Sequence, residues 1–190
     1  MFLDEFDVIA KLRDDKNELG ELKRVVNSLI QNIDAFSNDS ILIAATNHHE
    51  LLDPAIWRRF TTIVSLEKPQ KGEIERLLTI LLTDKENNFM GNERKLNGVI
   101  DALFGFSHSD IKTVTFNAIR EVILSGRSSL TNCDILKSIF FYKNHAIENE
   151  DDLIEYLLKN GVTHKEINDS LAIPLRRIQG ISKNLDRKEL

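Results

Sequence analysis

The sequence predicts an α/β segment followed by an all-α segment. Up to residue 68, short apolar runs alternate with stretches of helical periodicity, the pattern of strands separated by crossover helices. The strand-like runs are brief and continuously apolar or β-branched, as in a parallel sheet. Beyond Lys68-Pro69 only helical periodicity remains.

Phe2-Leu3 is an apolar run that stops at Asp4-Glu5, and it reads as the tail of a buried strand. Leu19, Leu22, Val26, Leu29, Ile30, Ile33 and Phe36 recur at helical spacing and predict an amphipathic helix over 18–36. Ile41-Leu42-Ile43-Ala44-Ala45 predicts a strand covered on both faces. Asp53-Pro54 places a capping acid before a proline and marks a helix start. The β-branched run over 61–66 predicts a third strand. Helices are then expected over 73–82 and 96–104. Ser107-His108-Ser109-Asp110 resembles a capping box that opens a helix to about residue 124, and Thr131 to Asp134 repeats the device ahead of a helix over 135–147. The acidic stretch 148–152 is a linker or a helix start.

The 190 residues are 42% hydrophobic and 29% charged, which is ordinary globular composition, with a net charge of −5. That charge carries no whole-chain signature of nucleic-acid binding, so any such site must be local. One cysteine, Cys133, excludes an internal disulfide framework. No apolar run approaches the roughly 20 residues that span a bilayer. The expectation is a soluble, cytoplasmic chain with no membrane partner.

An apolar strand ending in Asp4-Glu5 places two carboxylates at the carboxyl edge of a parallel sheet, where open α/β sheets bind ligands. One acid can hold Mg through its water shell, and the next can orient or deprotonate an attacking water. By themselves the two acids also fit a solvated loop start. They are followed, in order, by Ala44-Ala45-Thr46-Asn47, Leu52-Asp53-Pro54-Ala55 and Trp57-Arg58-Arg59-Phe60.

In that order the segments resemble AAA-family ATPases from the Walker B motif through sensor 1 and the second region of homology. The resemblance runs from Met1 to about residue 147, and the twin-arginine form is similar to the microtubule-severing branch and its bacterial relatives. It implies the C-terminal part of a P-loop ATPase core over 1–68 and a helical AAA lid over 69–147. It implies ATP and Mg as cofactors, with Asp4 on the metal, Glu5 activating water and Asn47 placing that water. Arg58 and Arg59 would be arginine fingers reaching a neighbour's nucleotide in a homo-oligomeric, hexameric ring that remodels a protein substrate. Asp7 matches a frequent family position and receives no catalytic role.

Two departures accompany the resemblance, and two further features are discounted. No G-x-x-x-x-G-K-[ST] phosphate loop occurs in the sequence, so the 190 residues alone are expected to be a truncated, inactive portion. His108 and Ser109 stand where family members commonly carry Gly-Ala, at the helix start that approaches the nucleotide. They are the candidate cofactor-contacting residues of the lid, and no arginine in that turn supports a sensor 2 role. His48-His49-Glu50 lacks the H-E-x-x-H spacing of a metalloprotease. The polar stretch 13–18 occupies the place of a central-pore loop and equally fits a solvated loop.

Residues 151–190 read as a small trihelical, helix-turn-helix-like unit. Leu153, Tyr156, Leu157 and Leu158 predict one helix, and Thr163-x-x-Glu166 caps a second. Pro174 suits the first position of a third, with Leu175, Ile178 and Ile181 inward and Arg176, Arg177, Gln179 and Lys183 outward. Two functions fit this shape: DNA binding through 162–183, or protein docking. The leading expectation is therefore an ATP-driven remodelling subunit. The alternative is a non-enzymatic fragment whose C-terminal unit binds DNA or a partner protein.

Overall fold

A computed structural model describes residues 1–7, 19–36, 39–144 and 149–188, which divide into two compact units, 1–65 and 66–190. The polar stretch 13–18 and residues 145–148 lie outside the described residues.

In the first unit, strand β1 (Phe2–Leu3) pairs in parallel with β2 (Ile43–Ala44), with Phe2 opposite Ile43 and Leu3 opposite Ala44. Backbone bonds extend the ladder past both ends. Ile43 N–H donates to the Met1 carbonyl at 3.0 Å, Ala45 N–H to Leu3 at 2.8 Å, and Phe6 N–H to Ala45 at 2.9 Å. Helix α1 (Leu19–Asp34) lies between the strands in sequence. Its Val26 is buried, and Leu29, Ile30 and Ile33 pack with Leu3, Phe6, Ala44, Leu52, Ile56, Trp57 and Phe60 into one small core. Spacings of three and four residues put these α1 side chains on one stripe.

Two strand expectations are corrected here. Residues 61–66 form no strand with any described residue, and Ile63 and Val64 are exposed. A β-branched run supplies propensity, yet a strand also needs a neighbour to receive its hydrogen bonds. Residues 41–45 are not covered on both faces. Leu42 and Ala44 are half-buried, whereas Ile41 and Ile43 are exposed, because the core covers one face only. After β2, a 3₁₀ turn (His49–Leu51) leads to the short helix α2 (Pro54–Trp57). Asp53 caps it, its carboxylate accepting from Ala55 N–H at 2.6 Å, with Pro54 in the first turn.

The second unit is helical: α3 (Lys71–Leu81), α4 (Glu93–Leu103), α5 (His108–Leu124), α6 (Asn132–Asn144), α7 (Glu150–Lys159), α8 (His164–Leu171) and α9 (Leu175–Lys188). Its starts follow the capping chemistry read from the sequence. Ser107 and Asp110 exchange bonds at the head of α5, as do Thr163 and Glu166 at the head of α8. Thr131 and Asp134 do the same before α6, where Arg127 also grips the buried Asp134 carboxylate at 2.7 and 3.1 Å. Asn149 caps α7, so the acidic run opens a helix there.

One apolar cluster runs through all seven helices. It joins Ile74 and Leu78 of α3, Val99 and Leu103 of α4, Ile111 and Val114 of α5 and Ile135 and Ile139 of α6 to Ile154, Ile167 and Ile178 of the last three. Two further contacts seat the last three helices against α4. Gly98 approaches the end of α7 so closely that a β-carbon there would lie 2.7 Å from the Asn160 carbonyl oxygen. Lys95 and Glu166 form an ion pair at 2.5 Å, with both side chains mostly buried.

Two details of α9 differ from expectation. Pro174 stands one residue before the first helical residue, its carbonyl accepting from Arg177 and Ile178. Leu175 is exposed, and the buried stripe is Ile178, Ile181 and Leu185, because the apolar partners begin one turn further along.

Candidate functional site

The ladder that pairs β1 with β2 also aligns their carboxyl ends. Asp4 and Glu5 follow one strand, and Asn47 follows the other three residues after Ala44, so all three stand at the same edge of two adjacent parallel strands. All three are exposed. One Asp4 carboxylate oxygen accepts from Glu5 N–H at 2.9 Å. An exposed carboxylate at a strand tip suits Mg, a hard cation that keeps several waters and takes few protein oxygens.

Glu5 is held at a φ of 49°, in the left-handed region that disfavours side chains other than glycine. Such conformations persist where the surrounding structure imposes them, and they cluster at functional sites. Here the ladder imposes it. Leu3 is bound on one side of the turn and Phe6, buried, is bound to Ala45 on the other, leaving Asp4 and Glu5 to complete a tight bend.

Asp7 proves more important than the sequence suggested. It is 7% exposed and accepts from the Thr46 hydroxyl at 2.8 Å, and Thr46 Oγ1 in turn accepts from His48 N–H at 3.0 Å. This chain of bonds ties the segment after β1 to the segment after β2, and so fixes Glu5 relative to Asn47. A buried acid two residues past Glu5 was the available signal, but spacing alone does not reveal its partner.

The two arginines at the end of α2 differ. Arg58 is exposed, and its guanidinium bonds to no described residue. Arg59 is half-buried. Its Nε and Nη2 donate to the two Asp34 oxygens at 3.1 and 3.2 Å, and its Nη1 donates to the Ala55 carbonyl at 2.7 Å. Donating to the Asp34 carboxylate holds the pKa of the Arg59 guanidinium above its ordinary value.

His108 and Ser109 are the first two residues of α5 and both are exposed. The turn beneath them is rigidly built. Tyr142 of α6 donates to Asp110 at 2.5 Å, Phe106 packs 5.6 Å from the Tyr142 ring, and Lys143 lies over Phe106 at 5.1 Å. The bonds from Tyr142, the Ser107 hydroxyl and the Ser107 N–H draw the Asp110 carboxyl below the usual carboxylate range.

In the last three helices, α8 and α9 meet at Ala172, which adopts φ 55°. Arg176, Gln179 and Lys183 are exposed on α9. Arg177 is occupied, pairing with Glu150 and with Asp151 at 2.6 Å, both at the start of α7. Among the described residues no helix is long and apolar enough to cross a membrane.

Two acids and an asparagine at the rim of a parallel sheet, followed by paired arginines and a helical unit, make up the fold of the C-terminal portion of an AAA domain with its helical lid. Residues 1–68 form part of an AAA ATPase family domain: they match the model of the ATPase family associated with various cellular activities. The chain is 37% identical over 139 residues to an uncharacterized AAA family ATPase of Sinorhizobium fredii, covering 73% of this chain and 41% of that protein. It is 31% identical over 140 residues to proteasome-activating nucleotidase 2 of Haloferax volcanii, covering 70% and 33%. It is 33% identical over 141 residues to the chloroplastic ATP-dependent zinc metalloprotease FTSH 7 of Arabidopsis thaliana, covering 70% and 17%. The chain thus spans less than half the length of these relatives. In fold it is similar to the FIGL-1 AAA domain crystallised with ADP, with a TM-score of 0.57 at 17% identity over 85% of this chain and 57% of that one.

Proposed function

We propose that these residues form the hydrolytic edge and lid of an ATPase that remodels protein substrates as a homo-oligomeric ring. The observation that carries the reading is the alignment of Asp4, Glu5 and Asn47 at one edge of two hydrogen-bonded parallel strands. The strained backbone at Glu5 and the Asp7–Thr46 bond support it. So do the names of the relatives, a proteasome-activating nucleotidase and an ATP-dependent protease among them.

In this reading Asp4 holds Mg through its water shell, and the ion neutralises phosphate charge when bound. Glu5 accepts a proton from the attacking water, and Asn47, a neutral donor and acceptor, orients that water. Arg58 presents its guanidinium to the nucleotide of a neighbouring subunit, where such a group supplies about 10³–10⁵ in turnover. His108 and Ser109 are the lid's proposed contribution to nucleotide contact. No G-x-x-x-x-G-K-[ST] segment lies within these 190 residues, so hydrolysis is proposed for the whole protein and not for residues 1–190 alone.

The test is Glu5→Gln in the whole protein. ATP binding should survive while turnover falls at least about 10²-fold, the scale of a lost general base. Wild-type turnover in the variant would remove Glu5 from this role.

For the last three helices we propose a brace for the lid, not a reader of DNA. The shared apolar cluster and the Lys95–Glu166 pair favour the brace, and Glu150 and Asp151 neutralise Arg177 on the face DNA would need. Duplex DNA titrated at low salt should show no saturable binding. Salt-sensitive binding lost in Arg176→Ala with Lys183→Ala would restore the DNA reading.

A further inference from the structure

The twin arginines at the end of α2 carry opposite environments, and that difference assigns them different work. Arg59 spends three N–H donors inside its own unit. Two go to Asp34, the last residue of α1, and one to the Ala55 carbonyl within α2. A carboxylate at a helix C-terminus sits against the negative end of the helix dipole, and α1 has no basic residue of its own in its last turn. The Arg59 guanidinium supplies the missing positive charge there. It also satisfies a carbonyl of α2, a helix too short to hold itself together. Its planar fork matches the two oxygens of Asp34 in a way lysine could not reproduce.

We propose that Arg59 is a positioning residue, clamped in its own subunit by Asp34, and that the clamp fixes the end of α2 so that Arg58 alone projects as the finger. The finger role of Arg58 rests on the function proposed above; the clamp does not. A misplacement of about 1 Å at a reacting centre can cost about 10²-fold in rate, so a fixed α2 matters for a residue that acts through Arg58.

The experiment is a charge-swap series in the whole protein: Arg58→Ala, Arg59→Ala, Asp34→Ala and the double variant Asp34→Arg with Arg59→Asp. Two readouts are taken on each, kcat and KM for ATP, and acrylamide quenching of Trp57. Trp57 is the only tryptophan in these 190 residues, it is half-buried, and it immediately precedes Arg58 on α2; any tryptophan elsewhere in the whole protein is replaced by phenylalanine in every variant compared.

Arg58→Ala should lower kcat about 10³-fold or more, with little change in KM and none in Trp57 quenching. Asp34→Ala and Arg59→Ala should match one another, each lowering kcat about 10- to 100-fold and each exposing Trp57 to the quencher. The swap should restore much of both. A second finger would behave otherwise: Asp34→Ala would keep wild-type turnover, and the swap would be as inactive as Arg59→Ala. That result overturns the proposal. If the wild type hydrolyses no ATP, the function proposed above fails, and Trp57 still decides the clamp. Unchanged quenching in both single variants would overturn it.

Discussion

Thr46 donates a 2.8 Å hydrogen bond to the buried carboxylate of Asp7, and through it the two strand tips that carry Glu5 and Asn47 are tied together. The same Thr46 oxygen accepts from His48 N–H, so one hydroxyl serves both neighbours. Thr46→Val keeps the shape and removes both functions. It should lower stability by about 1–3 kcal/mol, the cost of losing a hydrogen bond to a buried charged group. Thr46→Ser, which keeps the hydroxyl, should lose less than half of that. Urea unfolding followed by Trp57 fluorescence measures the difference.

Glu5 and Ala172 are the non-glycine residues with positive φ among the described residues, at 49° and 55°. Left-handed backbone costs a side-chain-bearing residue about 1–2 kcal/mol, and glycine escapes most of it. Glu5→Gly should therefore stabilise the fold by up to about 1 kcal/mol while abolishing ATP turnover in the whole protein. Ala172→Gly should give a similar gain in stability and leave turnover unchanged. A stability loss in Glu5→Gly would mean that the Glu5 side chain holds the bend, contrary to the strain described above.

Gly98 has a different reason to be glycine. It lies inside α4, where glycine costs about 1 kcal/mol relative to alanine. Yet a β-carbon would meet the Asn160 carbonyl oxygen at 2.7 Å, a backbone atom that cannot swing away. Gly98→Ala should destabilise the helical unit by about 1–3 kcal/mol, reversing the usual gain of glycine-to-alanine in a helix. Thermal unfolding followed by circular dichroism at 222 nm reads this directly.

Cys133 sits at the start of α6, 1% exposed, within reach of Ser170 on α8. Burial pushes its thiol up to about 11, against a smaller opposing effect of the nearby Ser170 hydroxyl. At pH 8 it should react with a thiol reagent at least about 10²-fold more slowly than free cysteine, because both the thiolate and access are scarce. The reaction should accelerate in proportion when α8 is loosened by Thr163→Ala, which removes the cap of that helix.

The parts of this structure legible in the sequence were those set by local chemistry. Ser107-x-x-Asp110, Thr131-x-x-Asp134 and Thr163-x-x-Glu166 each begin a helix because hydroxyl and carboxylate satisfy backbone N–H groups three residues apart, whatever surrounds them. The order of Asp4-Glu5, Asn47 and Arg58-Arg59 pointed to the candidate edge through the family resemblance it carries. Contacts between distant residues were not legible. Nothing local pairs Asp34 with Arg59, Asp7 with Thr46, or Tyr142 with Asp110, which are separated by 25, 39 and 32 positions. The run over 61–66 failed as a strand because β propensity names a preference and not a partner.

Glu166 joins the local and the distant kinds of contact, and its titration separates them. As the third residue of α8 it accepts from Thr163, and across the unit it pairs with Lys95. Burial pushes its pKa up, but the Lys95 pair and the Thr163 bonds outweigh this and leave the carboxyl below its ordinary value. A carboxyl depressed by folding stabilises the protein at pH above its unfolded value, about 4.3, and that contribution disappears as pH falls through the folded value. Glu166→Gln preserves the capping role, because glutamine also serves at this position, and removes only the charge. The variant should be less stable than wild type at pH 6–7, and the difference should shrink and then vanish as pH falls below about 4.3 and through the folded value. Lys95→Met should reduce the same acid-dependent difference, since the lysine is the main source of the depression. A gap between wild type and Glu166→Gln that stays constant from about pH 7 to about pH 3 would mean that the ion pair contributes nothing to holding the last three helices on α4.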